Sequence, residues 1–550
     1  MTNVMTESVR VDVLIVGGGT AGVAAAWQAA KCGARTLVVE ESPWIGGMLT
    51  AAGVSAVDGN EGPLAGGMFR RFREAIEEHY GGSESVRTGW VSNTCYEPHV
   101  GERILSNWIE ESGAEVWRDI RLVEILRKDA RVEGAIVERR GERVEVRAQV
   151  TIDGTEFGDV LAMGNVPFRL GRESKEDTGE ADAPDVADLW MQDMTWVATL
   201  TRVAGVAEAI PEQEEYGRAD FDCSTSVICS TPDPELLNHP LHDWDSFISY
   251  GKLPGNKYML NWPFHCNDSP MDPLLFGTRE ERERVLERSR HRTLAYIRYI
   301  QKDLRHPEFG LADEFGTEHK LAHIPYIRES RRVVGVSTVL EEHVVPAEGA
   351  IRPLRWSDSI AVGDYPLDHH HWSHHLEPKE RIVTDYPDTA PFEFPYSALV
   401  PQSVDGLLAI EKNSSVTHIS NGCTRLQPIV MSVGQAAGAA AAQAAEKGIE
   451  PREIDTARLQ RELLAEGCVL TPLRDVDAQH PHFAAIQTLT LRTGEAEPYE
   501  FDAERVASQE DARSWAERWR VATDIAEGVW RQGMTRGELA SAIVEATTES

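Results

Sequence analysis

The chain has 550 residues, of which 41% are hydrophobic and 26% are charged. These values are typical of globular proteins and exclude a fibrous or wholly disordered chain, and the length predicts two or three domains. The 55 basic and 89 acidic residues give a net charge of −34, which argues against nucleic acid and anionic membranes as partners.

Cysteine usage and the start of the chain bear on the compartment. Seven cysteines are irregularly spaced and none forms a C-x-x-C pair, so we expect no disulfide framework and a reducing compartment, the cytoplasm. The first strand-like run begins at Val11 without a basic and apolar leader. No apolar stretch approaches ~20 residues, and we therefore expect neither secretion nor a membrane span.

Residues 11–41 have the pattern of a βαβ unit. An apolar run ends at Val16 and meets a glycine cluster, an alanine-rich stretch of helical length ends at Gly33, and a second apolar run closes on Glu40. Strand, glycines, helix, second strand and acid fall in the register of a dinucleotide-binding unit. A purely structural glycine turn is the alternative.

Each glycine of the G-x-G-x-x-G motif has a physical role. Gly17 allows a tight turn, Gly19 lets backbone amides approach a diphosphate, and Gly22 lets the helix lie close to the strand. The diphosphate is expected at the helix N-terminus, where free N–H groups and the helix dipole favour negative charge. Glu40 is placed to accept hydrogen bonds from the ribose hydroxyls of an adenosine.

A second glycine pair, Gly46 and Gly47, follows directly. A nicotinamide dinucleotide does not require it. FAD is longer and crosses the domain, so the backbone must approach it again near the ribityl chain. The pair therefore favours FAD.

The next segments predict a helix from Pro98, short strands, acidic loops and one long helix. The strands are predicted at 116–117, 120–126, 132–137, 144–146 and, ending on small and polar residues, 150–155. Residues 172–188 and 207–217 are acidic and poor in large apolar groups, which predicts surface loops. The helix predicted at 278–304 is dense in Arg and Glu, and we interpret this as a solvated face rather than a nucleic-acid site.

The strand signal returns at 406–410 and precedes a helix from Pro428, a residue suited to a first helical turn. Beyond residue 470 the pattern is polar and mostly helical, with helices predicted at 512–528 and 536–546. That part carries no recognisable chemistry and no internal repeat.

Several motifs together resemble a known family. They are V-G-G-G-T-A-G-V-A-A-A with Glu40, the glycine pair, I-D-G-T-E-F-G-D at 152–159, T-H-I-S-N-G-C-T-R-L-Q-P with G-Q-A-A-G at 417–438, and the shorter GRES at 171–174, NWP at 261–263 and YIRESRR at 326–332. They are similar to those of FAD-dependent oxidoreductases distantly related to the fumarate reductase and succinate dehydrogenase flavoproteins. The resemblance covers most of residues 10–470.

The resemblance implies an α/β fold of the two-dinucleotide-binding flavoprotein type. We expect a discontinuous, Rossmann-like FAD-binding domain from residues 1–165 and 396–470, an inserted α+β substrate domain at 166–395, and a helical C-terminal extension at 471–550. FAD should lie across the carboxyl ends of the parallel strands, with the active site at the interface between the domains.

The expected FAD contacts come from these loops and from the helix at Pro428, whose N-terminus should face the flavin and favour its anionic reduced form. They are Gly17, Gly19, Thr20, Ala21, Gly22, Glu40, Glu41, Gly46, Gly47, Met48, Leu122, Asp153, Gly154, Gln427 and Ile429. Residues 49–67 contain no histidine that could tether the flavin, so we expect non-covalent FAD. A second G-x-G-x-x-G and a redox cysteine pair, typical of disulfide reductases, are both missing from the sequence.

The densest histidine cluster comprises residues 369–371, 374 and 375. It could bind a metal, act as an acid or base near the flavin, or form a plain solvated loop. We favour His370 as the acid or base, with Asp368 or a neighbouring carboxylate setting its tautomer, and we expect no metal.

Three further candidates lie in the T-H-I-S-N-G-C-T-R-L-Q-P motif. His418, in a predicted loop, could contact substrate or flavin, or be a satisfied loop histidine. Arg425 could face the flavin or a substrate carboxylate. We interpret Cys423 as a packed small residue rather than a nucleophile.

The Y-I-R-E-S-R-R motif supplies three further arginines. Arg328, Arg331 and Arg332 could clamp an anion, or pair structurally with Glu329 and other local acids.

The expected reaction is transfer of a hydride from a small polar organic substrate to N5 of FAD, as in a dehydrogenase or oxidase. The electron acceptor and self-association into a homo-oligomer stay open. The alternatives are a redox-neutral flavoenzyme, such as an isomerase or hydratase, and a non-catalytic FAD-binding protein.

Overall fold

The strands follow from the apolar runs of the sequence. The computed structural model describes residues 5–230, 241–262, 265–370, 386–494 and 499–548. The strands are β1 Met5–Val16, β2 Thr36–Val39, β3 Glu115–Trp117, β4 Arg121–Lys128, β5 Arg131–Arg139, β6 Glu142–Asp153, β7 Phe168–Arg169, β8 Met194–Thr195, β9 Ala198–Arg202, β10 Lys252–Leu253, β11 Lys257–Leu260, β12 Asp268–Ser269, β13 Phe309–Leu311, β14 Arg332–Val333, β15 Ser359–Gly363, β16 Phe392–Pro395 and β17 Leu407–Ala409.

The helices connect and cover these strands. They are α1 Thr20–Lys31, α2 Gly67–Tyr80, α3 Pro98–Ser112, α4 Asp159–Met163, α5 Lys175–Thr178, α6 Trp244–Tyr250, α7 Arg279–Lys302, α8 His418–Thr424, α9 Gln427–Lys447, α10 Thr456–Ala465, α11 Phe483–Thr493, α12 Gln509–Trp519, α13 Thr523–Val529 and α14 Arg536–Thr548.

The main sheet has the strand order β3-β2-β1-β6-β5-β4. Strand β1 is parallel to β2 and to β6, with Val16 opposite both Val39 and Asp153. Strand β6 pairs with the antiparallel β5 along its first half and with the parallel β17 at its end. The carboxyl ends of β1, β2, β6 and β17 therefore meet at one edge of the sheet, as the predicted dinucleotide-binding unit requires.

Helices α1 and α9 cover one face of this sheet in close contact. A Cβ atom on Gly434 would collide with the carbonyl oxygen of Ala21, and one on Gly438 with that of Ala25. The alanines and glycines of the two helices thus allow their backbones to touch, which buries nearly all of α1 against the sheet. The predicted α/β fold class with a Rossmann-like parallel sheet is confirmed.

Antiparallel pairs and a long helix follow the main sheet. Strands β10, β11, β9 and β13 form a 4-stranded antiparallel sheet. The helix predicted at 278–304 is α7, and Thr278 caps it by accepting from the amide of Glu281 while the Glu281 carboxylate accepts from Thr278. The predicted helical C-terminal part is α11 to α14. The single helix predicted at 512–528 is wrong, because the chain reverses at Arg520, with φ +59°, and forms α12 and α13.

Three other predictions are wrong in part. Residues 144–146 and 150–152 lie in one strand, β6, because the polar residues between them sit on its more exposed face. Residues 172–188 contain the short helix α5 and bury Glu173 and Glu180 against partners elsewhere in the chain. Cys223 and Cys229 form a disulfide, although cysteine spacing predicted none. Among the described residues, no helix combines the length and apolar character that a membrane crossing requires.

Candidate functional site

A groove of about 770 Å³ opens at the carboxyl ends of the parallel strands. Val16 of β1, Val39 of β2 and Gly154 after β6 line its floor. This is the edge of the sheet at which doubly wound folds bind ligands, and the volume lies within the usual range of cofactor sites.

Glycines bring three loops into backbone contact beneath the groove. Gly17 has φ +98°, and a Cβ atom there would collide with the carbonyl oxygen of Gly154. Gly47 has φ +53°, and its Cβ would lie 2.8 Å from the Cα of Gly19 and 3.1 Å from the amide of Thr20. The two glycine motifs therefore touch each other at the start of α1, which explains their spacing.

Glu40 directly follows strand β2 and lines the groove. Its carboxylate accepts hydrogen bonds from the amide of Gly18 at 2.6 Å and from that of Ser42 at 2.7 Å. Burial raises the pKa of Glu40 to about 7 despite these two bonds. A carboxylate so held is well placed to gain further donors from a ligand.

About half of the predicted FAD contacts line the groove. Those that line it are Gly17, Gly19, Glu40, Glu41, Gly47, Leu122 and Gly154. Those that lie behind its surface are Thr20, Ala21, Gly22, Gly46, Met48, Asp153, Gln427 and Ile429. Among these, Thr20 Oγ1 donates to the carbonyl of Gly46, and Asp153 accepts from the amides of Thr155 and Leu161.

The helix predicted to face the flavin is close to the groove but does not line it. Gln427, the first residue of α9, is buried and donates from Nε2 to the carbonyl of Ala56 at 3.0 Å. Its role toward the flavin stays a prediction.

Sequence patterns missed the side chains that wall the groove. Trp44, Trp196 and His323 contribute rings to it, and helix α7 contributes Arg279, Arg282 and Arg290. Arg282 donates to both carboxylate oxygens of Asp159, at 2.7 and 2.8 Å. The interpretation of α7 as a solvated face is therefore wrong for the side that covers the groove. Helical charge density alone could not distinguish the two sides.

The residues present fit FAD. Three loops approach so closely that only glycine is accommodated, and an acid, Glu40, follows β2. Apolar residues of β4 and α4, among them Leu122, Val123 and Ala162, line one end of the groove and suit an adenine ring.

A network of charged side chains surrounds His370; Asp268 and Arg425 are buried and Asp368 is partly exposed. Its Nδ1 lies 2.7 Å from Asp268 Oδ2, and its Nε2 lies 3.2 Å from Asp368 Oδ2. Arg425 donates to the same Asp368 oxygen at 2.8 Å. Two of the four predicted catalytic residues, His370 and Arg425, thus meet at Asp368, the residue expected to orient the histidine.

Asp268 anchors the network from the opposite side. It accepts from Thr195 Oγ1, and Nη2 of Arg328 lies 3.5 Å from it. Burial alone would raise the pKa of Asp268, but the charges of Arg328 and His370 lower it to about 2. In the same way, His370 and Arg425 hold the pKa of Asp368 well below its usual range despite burial.

A pair of bridged residues separates this network from the groove. Thr195 and Tyr326 exchange backbone hydrogen bonds at 3.1 and 2.8 Å. Their side chains contact the network, Thr195 at Asp268 and Tyr326 at Arg425. Their neighbours Trp196, Pro325 and Ile327 line the groove. The groove and the network are therefore opposite faces of one thin layer.

The three arginines of 326–332 are structural partners in this structure rather than a joint anion clamp. Arg328 donates to the carbonyl of Asp193 and to Thr195. Arg331 donates to Asp159 at 2.9 Å. Arg332 is fully buried between Glu329 at 2.6 Å and Glu173 at 2.9 Å.

His418 lies in α8, not in a loop, and it does not line the groove. It is buried, and its Nδ1 lies 2.9 Å from Glu329 Oε2. Burial, with the charge of Arg332, lowers its pKa well below the usual value. Its carbonyl lies 2.9 Å from Nε2 of His369. No sequence pattern indicates the pairing of His418 with Glu329, because the two residues are 89 positions apart.

Asp58 is a further titratable residue that the sequence did not single out. It is partly buried, and no hydrogen bond or ion pair to its carboxylate is present among the described residues. Burial and the charge of Asp368 raise the pKa of Asp58 to about 7, against the effect of Arg425. It therefore shares the electrostatic environment of the His370 network.

Two other features of the sequence have structural answers. His371, His374 and His375 lie outside the described residues. Cys423 is buried, and burial raises the pKa of its thiol, which agrees with a packed residue.

One cluster has the composition of a metal site. In the part of the chain that the structure describes, Glu97, His99 and Glu314 lie close together. The ammonium group of Lys257 lies 2.7 Å from Glu97 and 2.5 Å from Glu314. It supplies the positive charge between these carboxylates, so the cluster does not point to a metal.

Comparisons with known proteins agree with this geometry. The sequence model of a family described as FAD dependent oxidoreductase matches residues 12–463. A digeranylgeranylglycerophospholipid reductase from Thermoplasma volcanium is 32% identical over 160 residues, or 27% of this chain and 40% of the relative. A thiamine thiazole synthase from Aeropyrum pernix is 30% identical over 134 residues, or 24% of this chain and 46% of the relative. The chain thus spans less than half the length of either relative.

A solved structure covers nearly the whole chain at low similarity. It is a geranylgeranyl bacteriochlorophyll reductase-like protein from Thermoplasma acidophilum, 12% identical, covering 98% of this chain and 96% of its own, with a TM-score of 0.34.

Proposed function

The chain belongs to the FAD-dependent oxidoreductase family, and from that membership we propose that it oxidises a small polar organic substrate. The kinship to fumarate reductase flavoproteins stays a prediction. When bound, FAD supplies the acceptor of a hydride at its N5 atom. The protein's own residues must bind the cofactor, orient the substrate and take up the proton that leaves with the hydride.

Binding is assigned to the groove. Gly17, Gly19 and Gly47 would admit the diphosphate to the start of α1, and Glu40 would accept from the ribose hydroxyls. Leu122 would contact the adenine. No residue offers a covalent tether between 49 and 67, so the cofactor is expected to be non-covalent.

We propose that His370 takes up the proton that leaves the substrate. The observation that carries this proposal is the position of its ring between Asp268 and Asp368. Asp268 is fully buried and fixes Nδ1, as the third member of a catalytic relay fixes its base. The side chain of Asp368 is 37% exposed and that of His370 is 13% exposed, and we propose that a substrate approaches Nε2 from the side of Asp368. In its neutral form, His370 would accept the proton of a substrate hydroxyl or amine there.

Arg425 and Arg328 act in this proposal as positioning residues. Arg425 holds Asp368 through 2.8 and 2.9 Å contacts to its side chain and carbonyl. Arg328 balances the charge of Asp268. His418 is assigned no contact with substrate.

We also propose the domain division expected from the sequence. Support comes from β17, which joins the sheet of β1, and from α9, which packs on α1, so residues 396–470 complete the unit begun by residues 1–165. Residues 166–395 supply β12, α7 and His370. The reaction then takes place between the two units.

The test is an anaerobic screen of the FAD-loaded chain with hydroxy acids, sugars and amines. We expect one class to bleach the flavin band without recovery. His370→Asn should slow bleaching about 100-fold or more at unchanged FAD content, whereas His79→Asn, at an exposed position, should not. Turnover without net bleaching, or equal rates for the two variants, would contradict the proposal.

A further inference from the structure

Glu411 occupies an unusual position just after strand β17. It is buried, and its backbone has φ +58°, a region that glycine adopts readily and glutamate rarely does. Such a strained, buried acid is retained only where the surrounding structure determines it, and it indicates a local role for the side chain.

Its carboxylate lies at the start of helix α1. The amide of Ala21 donates to Glu411 Oε1 at 2.6 Å, and a Cβ atom on Gly19 would collide with the same oxygen. Helix α1 has no capping side chain from its own N-cap residue, Gly19. Glu411 therefore caps this helix from a distant segment and places a carboxylate at the positive end of its dipole.

Two further ions complete the cluster. Lys412, fully buried, lies with Nζ 2.6 Å from Glu156 Oε2 and 3.5 Å from Glu411 Oε2. Glu156 Oε1 in turn lies 3.1 Å from the position a Cβ on Gly47 would take. Burial raises the pKa of Glu411, and Glu156 adds to this effect against that of Lys412. The region between the two glycine motifs thus holds two carboxylates and one ammonium group.

This arrangement conflicts with the requirement of a bound dinucleotide. A diphosphate at a helix N-terminus uses the same free amides and the same end of the dipole. Thr20 and Ala21, which the motif predicts to bind it, do not line the groove, and the Ala21 amide is already bonded to Glu411. The diphosphate and the Glu411 carboxylate compete for one position.

We propose that Glu411 is an internal anion that occupies the diphosphate position on α1, and that FAD binding displaces its carboxylate from the Ala21 amide. Lys412 then balances the charge of the diphosphate instead of that of Glu411. The chain without FAD gains a capped helix, and the cofactor binds less tightly than the groove would otherwise allow. This inference depends on FAD binding and is independent of the proposed reaction.

The test measures ligand affinity in the full-length chain after removal of FAD. Glu411→Gln keeps the shape and removes the charge, and Glu411→Gly also suits φ +58°, so it keeps the test valid if the glutamine variant fails to fold. Glu517→Gln removes one exposed carboxylate from helix α12, outside the groove, and serves as the control. The ligands are FAD, ADP and adenosine, which share the adenosine but not the diphosphate.

We expect both Glu411 variants to bind FAD and ADP about 10-fold or more tightly than the wild type, with adenosine unchanged and Glu517→Gln near wild type. Equal or weaker binding of FAD would overturn the proposal, since it would mean that Glu411 stays in place and helps to hold the cofactor. An equal gain for adenosine, or for Glu517→Gln, would also overturn it, because the effect would then be one of general charge.

Discussion

Replacement of Glu40 by glutamine tests the electrostatics of the groove without a substrate. The carboxylate accepts two backbone hydrogen bonds, from Gly18 and Ser42, yet burial raises its pKa from 4.5 to about 7. A shift of this size corresponds to about 3 kcal/mol of unfavourable free energy for the charged form in the folded chain.

The direction of the pH effect follows from this shift. Because the pKa of Glu40 is higher in the folded than in the unfolded chain, the group stabilises the fold below about pH 4.5, and that contribution is lost as the pH rises through about 7. Glutamine avoids the charge, but its side-chain nitrogen cannot accept a hydrogen bond, so one of the two backbone amides loses its acceptor. This loss costs about 1 kcal/mol. Relative to wild type, the variant should therefore gain about 2.5 kcal/mol between pH 5 and pH 8, ending about 2 kcal/mol more stable.

The assay is thermal unfolding of the FAD-free chain at pH 5 and pH 8. The Tm difference between Glu40→Gln and wild type should be several degrees more positive at pH 8 than at pH 5. FAD affinity should fall about 10-fold or more, because a charged acceptor for the ribose is lost. Glu124→Gln, exposed on β4, serves as the control. A Tm difference that is the same at both pH values would refute the reasoning.

Three other substitutions test separate parts of the structure. Gly47→Ala places a Cβ atom 2.8 Å from the Cα of Gly19, at a residue with φ +53°. The variant should lose about 2–4 kcal/mol of unfolding free energy and bind FAD more weakly in a fluorescence titration. Wild-type affinity would count against the contact between the glycine motifs. Asp268→Asn removes the partner of His370 Nδ1 and should slow flavin reduction about 10-fold or more with an altered pH profile; an unchanged rate and profile would show that it does not position the histidine. Arg332→Met removes the guanidinium group that lies between the buried carboxylates of Glu173 and Glu329. It should destabilise the chain by about 3–5 kcal/mol, and an unchanged Tm would contradict this.

The FAD-binding unit could be predicted because local backbone geometry dictates its residues. Gly17 and Gly47 are required by positive φ angles and by close backbone approach, and these requirements appear directly as glycine spacing. Met48 and Ile429, also predicted to contact the cofactor, do not line the groove, and their contact with FAD stays a prediction. Which of their sides faces the groove depends on packing, which the spacing does not encode.

The His370 network could be predicted only in part, because its members meet through tertiary contacts. His370 and Asp268 are 102 residues apart, and no periodicity connects them. Asp368 was expected to orient the histidine because it is two residues away. His418 was placed in a loop because its short helix lacks an apolar stripe, and its buried partner Glu329 lies in a distant segment.

Glu411 shows a third kind of limit. The sequence around Glu411 is that of an ordinary strand end. An acidic residue at this point belongs to no motif with a characteristic spacing. Only its contact with the amide of Ala21, 390 residues away, reveals that its carboxylate caps the first helix.

The visible spectrum of the purified full-length chain tests the central claim most directly. We expect the absorption bands of oxidised flavin and an equimolar amount of FAD that is released on denaturation. The Gly47→Ala variant should retain less FAD. Protein that is colourless, and that stays colourless after incubation with FAD, would contradict it.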